Sequence, residues 1–179
     1  MTRASAEWRL TNRLFCQPIH VIRHPIADSM AEQTYERIEL AKEQLDLALD
    51  LFLSKRSMVS ALTLAGAAEE ILGRALTLRG KKTTLEHEHT VIAPVEAFLR
   101  REPLTWKVFI NEKNRVRNAA KHMDGTTDAY VVADLEDEAL WMLVRACDNY
   151  NRLDLQATPR MQEFDNWFYE NVAGIKVDA

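Results

Sequence analysis

The stretch from Ser57 to Leu78 constrains the fold more than any other part of the chain. It is apolar almost all the way round a helix, so it has to be surrounded by protein and form the central, most buried element. Glu69, Glu70 and Arg74 interrupt it, which argues against a membrane span. Gly80 follows as a left-handed stop. Gly66 and Gly73 fall on one face, and each costs roughly 1 kcal/mol against alanine inside a helix, so another backbone is expected to pass close to that face.

Acids are rarely buried without a partner, because desolvating a carboxylate costs several kcal/mol. Glu70 has Arg74 one helical turn later, in the favourable order for an ion pair. Glu69 has Gly73 at that position and needs a cation from another helix. Arg117 is the candidate if the glycine face packs against Ala119 and Ala120. The alternative leaves Glu69 on a narrow solvent-facing strip.

Further helices are expected around this one. Only five Gly and five Pro in 179 residues leave few tight turns and favour long elements. A first helix is expected from Asp28-Ser29, where Ser29 and Glu32 form a capping box, to about Leu53. Its buried stripe is Ile38, Ala41, Leu45, Ala48, Leu49 and Phe52. A third helix covers Leu85 to Arg101 around Pro94, and a fourth runs from Leu104 to about Met123 with Gly125 as its stop. A fifth begins near Val132 or Asp134 and ends around Leu155. Residues 1–28 read as an arm, and residues 156–179 as a docking helix and tail, the helix around Met161–Asn171 carrying Phe164, Trp167 and Phe168. The expected class is all-α: an antiparallel helical bundle of about five main helices over residues 29–155, with an N-terminal arm and a short C-terminal helix.

The formal net charge of −4 gives the whole surface no attraction for nucleic acid, so any such site has to be local. One local patch exists. Between Asn111 and His122 lie Lys113, Arg115, Arg117, Lys121 and His122 against the single acid Glu112, and the stretch from Asp124 to Asp148 is strongly acidic. A basic last turn also complements the negative end of a helix dipole, so the patch has a structural reading beside the functional one. The spacing of an Arg and a following His occurs at Arg13–His20 and Arg115–His122 as well as at Arg117–His122. Asn118, the helix end and the aromatic Tyr130 beyond it single out the last.

These residues, with the upstream run Ala65-Gly66-Ala67-Ala68-Glu69-Glu70-Ile71-Leu72, resemble the HEPN superfamily of helical bundles over roughly residues 30–155. The hallmark of that superfamily is an Arg, four to six residues and a His, often with a polar residue directly after the Arg. The resemblance implies a metal-independent endoribonuclease whose catalytic residues are Arg117 and His122, supported by Asn118, Glu69 and Glu70. Lys113, Arg115 and Lys121 would bind the RNA. It implies no cofactor, a homodimer in which two copies of the motif share one groove, a role in a toxin or defence system, and an antitoxin or regulatory protein as a further partner. In such a site the imidazole takes the proton of a ribose 2′-hydroxyl while the guanidinium neutralises the phosphate. A non-catalytic HEPN-like module that binds RNA, a nucleotide or a protein is the alternative, and a helical interaction protein in which the motif is a coincidence is the third reading.

Other candidates are thinner. Glu86-x-x-His89 has the spacing of di-iron bundle ligands, but such sites need a second copy on another helix, and the sequence has none. His20 and His24 are separated from a helical face by Pro25. Cys16 and Cys147 make no metal or redox spacing and fit a reducing cytosol. The N-terminus has no apolar signal core, so a cytoplasmic protein without membrane partners is expected.

Overall fold

The computed structural model of the chain describes residues 32–123 and 129–175. The arm at 1–28, the cap at Ser29 and the helix stop at Gly125 lie outside the described residues. The chain divides between Thr34 and Tyr35, and the unit from Tyr35 onward carries the helices described below.

The first helix, α1 (Arg37–Leu53), begins later than its expected start at Ser29, and residues 32–36 are not helical. Its cap position, Glu36, is extended and makes no side-chain cap bond. Residues 32–37 are all exposed, and a short helical turn that buries little is marginal in water. From Ile38 the stripe takes hold, with Ala41, Leu45, Ala48, Leu49 and Phe52 buried.

A short link leads into α2 (Met58–Leu78), capped by Ser57, whose hydroxyl accepts from the Ser60 backbone N–H. As expected, α2 is the central element, with Ala61, Leu62, Ala65, Ala68, Leu72 and Leu76 fully buried. Gly80, at φ 69°, closes it with backbone bonds from Gly80 and Lys81 back to Thr77 and Leu76. The third helix, α3 (Thr84–Arg100), opens on a full capping box between Thr83 and Glu86.

The expected fourth helix is divided. It consists of α4 (Trp106–Lys113) and α5 (Arg115–Ala119), broken at Asn114 and ending before Met123. Asn114 is buried, and its side-chain oxygen accepts a hydrogen bond from Arg145, so its amide serves the tertiary structure at the cost of helix regularity. Then come α6 (Leu135–Arg152), capped by Asp134, and α7 (Pro159–Asn171), capped by Thr158 with Pro159 in its first turn.

The all-α bundle has a definite sense of packing. Lys55, just before α2, pairs with Glu136 at the start of α6 at 2.9 Å, and Arg79, just after α2, donates to the Leu153 carbonyl beyond α6 at 3.2 Å. Hence α6 runs alongside α2 in the same direction, and α1 returns antiparallel through its short link. The aromatic α7 closes one side: Phe164 and Trp167 meet Phe52 edge-on at 5.9 and 5.1 Å.

Asn149 pins these layers together. It is fully buried on α6, accepts from both the backbone N–H and the hydroxyl of Thr84 at 2.9 Å, and reaches the Glu69 carbonyl with its amide at 3.5 Å. Asn149→Ala would take the acceptor from the Thr84 backbone N–H, while the Thr84 hydroxyl keeps its 2.6 Å bond to Asp148. The substitution is expected to lower unfolding stability by about 1–3 kcal/mol, read as a fall in the urea midpoint with an unchanged slope.

Candidate functional site

The Arg117–His122 segment begins inside α5 and continues past its end. The helix stops at Ala119, yet the backbone N–H groups of Lys121 and His122 both still reach the Asn118 carbonyl at 3.0 Å. That last turn separates the side chains by direction. Arg117 turns inward onto α2, and His122 stays exposed.

Gly66 makes the inward turn of Arg117 possible. A Cβ at Gly66 would stand 2.5 Å from Arg117 Cδ and 3.0 Å from its Cγ, so the arginine stem lies where a side chain would be. The guanidinium then pairs with Glu69 at 3.6 Å, with the two side chains only 13% and 10% exposed, and donates to the Asn118 side-chain oxygen at 3.2 and 3.3 Å. The close neighbours of the two helical glycines are therefore side chains, where the sequence reading expected a backbone. At Gly73 they are Thr83 and Asn149. Asn118, expected as a supporting residue, accepts from Arg117 with its amide oxygen.

A second interior cation was missed by the sequence reading. Arg145 is 6% exposed on α6 and donates to Asn114 at 3.0 Å, and its Nε has no partner. Burial pushes its pKa below the ordinary guanidinium value, while the attraction of Glu69 and Glu88 opposes that shift. The available signal was a cation embedded in the apolar run Leu143–Cys147.

The remaining candidates fall on separate surfaces. Arg115, Asn118 and His122 line one open cleft together with the exposed Tyr130, and Arg115 is held there by a 3.4 Å bond to the Val132 carbonyl. Arg117 is not among the residues lining this cleft. Lys113 is committed elsewhere: it pairs with Glu88 on α3 and lies 5.5 Å from the centre of the Phe109 ring. Lys121 lies with Arg37, Arg74 and Glu70 around a depression between α1 and α2. The expected Glu70–Arg74 ion pair does not form, and both side chains are exposed. Cys147 is buried, which pushes its thiol pKa far up and leaves it un-ionised near neutrality. His89 of the Glu86-x-x-His89 pair bonds the Leu104 carbonyl and packs on Trp106 and Phe109, and no cluster of three or more His, Cys, Asp or Glu suited to a metal occurs among the described residues.

Gly66→Ala isolates the contribution of the inward arginine. Alanine gains roughly 1 kcal/mol of helix propensity, but it displaces Arg117 and leaves Glu69 buried without its cation, a loss of about 3–5 kcal/mol. The expected net result in chemical denaturation is destabilisation by about 2–4 kcal/mol. A variant more stable than the wild type would show that the arginine stem is not held against α2.

Comparison of the chain with family models, with curated proteins and with solved structures finds no match.

Proposed function

We propose that this protein is a metal-independent endoribonuclease acting through His122, with Arg115 as the cation facing the RNA and Arg117 as the residue that holds the site together. The observation that carries this reading is the convergence of His122, Arg115, Asn118 and Tyr130 on one open cleft. Tyr130, 93% exposed, offers a face on which an unpaired base can stack. The HEPN resemblance supports the same chemistry but assigned the cationic role to Arg117, whose burial against Glu69 suits a positioning role better.

In the proposed reaction the His122 imidazole removes the proton from a ribose 2′-hydroxyl, and the 2′-oxygen attacks phosphorus. The bond from phosphorus to the 5′-oxygen breaks, and that oxygen leaves with a proton. Arg115 balances the charge that develops on the non-bridging oxygens. His122 of the partner subunit in a homodimer would supply the leaving-group proton, and the products are a 2′,3′-cyclic phosphate and a 5′-hydroxyl. A cytoplasmic toxin or defence component, restrained by an antitoxin or regulatory protein, is the setting that accompanies this reading.

A second reading is favoured by the same burial of Arg117: an HEPN-like module that binds RNA in the cleft without cutting it. Single-stranded RNA incubated with the protein in EDTA distinguishes the two. Cleavage by the wild type is expected to fall by about 10²–10⁴-fold in His122→Ala and to weaken in Arg115→Ala. RNA bound through Arg115 but left intact would establish the second reading. RNA neither bound nor cut would contradict both.

A further inference from the structure

A groove of about 610 Å³ lies between α3, α4 and α6, away from the His122 cleft. Its size falls within the roughly 300–1,000 Å³ of small-molecule sites. Val91, Ile92, Met142 and Val144 make its surface mainly apolar, and the indole of Trp141, half exposed, forms an aromatic wall. The Trp141 ring is held in place by a 3.1 Å hydrogen bond from its Nε1 to Asp137.

Arg145 also lines this groove, and Glu69, Glu88 and Glu138 attract it only from beyond ion-pair distance. Glu69 is the one buried carboxylate among the described residues, and its ion pair is with Arg117. Arg145 makes no ion pair among those residues. It donates to the neutral Asn114 oxygen and touches the Met142 sulfur at 3.0 Å, and Nε is left with no acceptor. A desolvated cation is costly unless an anion and further hydrogen bonds compensate it. Of the two arginines turned into the protein, Arg117 has an ion-pair partner, whereas Arg145 has none among the described residues and lines a mainly apolar groove.

The rim limits what can fill it. Glu88 is neutralised by Lys113 and Asp148 by Arg152, but Glu112, Asp137 and Glu138 make no ion pair among the described residues. Phosphates of RNA or of a nucleoside polyphosphate would meet those three carboxylates. A ligand with one anionic group, placed deep, and an uncharged body avoids them. We propose that the groove binds a small monoanion with an aromatic or aliphatic body, its charge anchored by Arg145 and its body packed on Trp141. This site is separate from the RNA reading and does not depend on it.

The probe for the test is 8-anilinonaphthalene-1-sulfonate, a monoanion with an aromatic body, titrated into the full chain by fluorescence. Its uncharged counterpart N-phenyl-1-naphthylamine serves as the comparison. Saturable binding at one site per chain is expected, at least tenfold tighter for the sulfonate than for the neutral probe. Arg145→Met should erase that preference in a protein whose circular dichroism is unchanged, and Trp141→Ala should weaken both probes. Glu138→Gln, on the rim, should tighten the sulfonate alone. Equal affinity for the two probes in the wild type would overturn the proposal, as would a sulfonate affinity unchanged in a folded Arg145→Met. If Arg145→Met does not fold, the wild-type probe comparison and Glu138→Gln decide the matter.

Discussion

The interior of the bundle is organised around one buried carboxylate. Glu69 sits on the most apolar helix of the chain, where an unpaired charge would cost several kcal/mol, and α5 has to deliver a guanidinium to it. Several local features follow from that requirement. Gly66 has no side chain because the arginine stem occupies its space. The helix after Trp106 breaks at Asn114, whose amide oxygen is drawn to Arg145, and α5 is a short segment set against α2. The backbone carbonyl of Glu69 is in turn met by Asn149, which also holds the start of α3.

This arrangement separates cations that are close in sequence. Arg115 and Arg117 are two residues apart in one helical segment, so they point in different directions, one toward a solvent cleft and one into the protein. An interior arginine locked against a carboxylate and an asparagine fixes where the next turn of chain leaves the helix, and hence where His122 stands. Arg117 thus anchors the backbone that leads to the cleft, and Arg115 lines the cleft itself.

The helical class was legible because the buried stripes of α1, α2 and α6 are long and strongly periodic. The identity of α2 as the central helix followed from its apolar character on all sides. What was not legible depended on tertiary contacts. The late start of α1 coincides with the exposure of residues 32–37, which a capping pattern at Ser29 and Glu32 does not reveal. The break at Asn114 needed a partner 31 residues away, and the parallel course of α2 and α6 is set by contacts between their ends. At the site, the demand of Glu69 for a distant cation was readable from Gly73 at the position where a helical partner would stand. The burial of Arg145 was not, because one arginine in an apolar run can as easily project into solvent. The dispersal of Lys113 and Lys121 to other faces was equally hidden, since a basic patch in sequence becomes a patch in space only if the helix carries it on one side.

The central claim, that Arg117 belongs to the interior through Glu69, is tested most directly by a double-mutant cycle on unfolding free energy with Glu69→Gln and Arg117→Gln. The pair should show a coupling of about 1–3 kcal/mol, with Glu69→Gln and Arg115→Gln additive within about 0.5 kcal/mol as the control. Additivity between Glu69 and Arg117 would contradict the account, because it would mean that the two charges do not depend on each other in the folded protein.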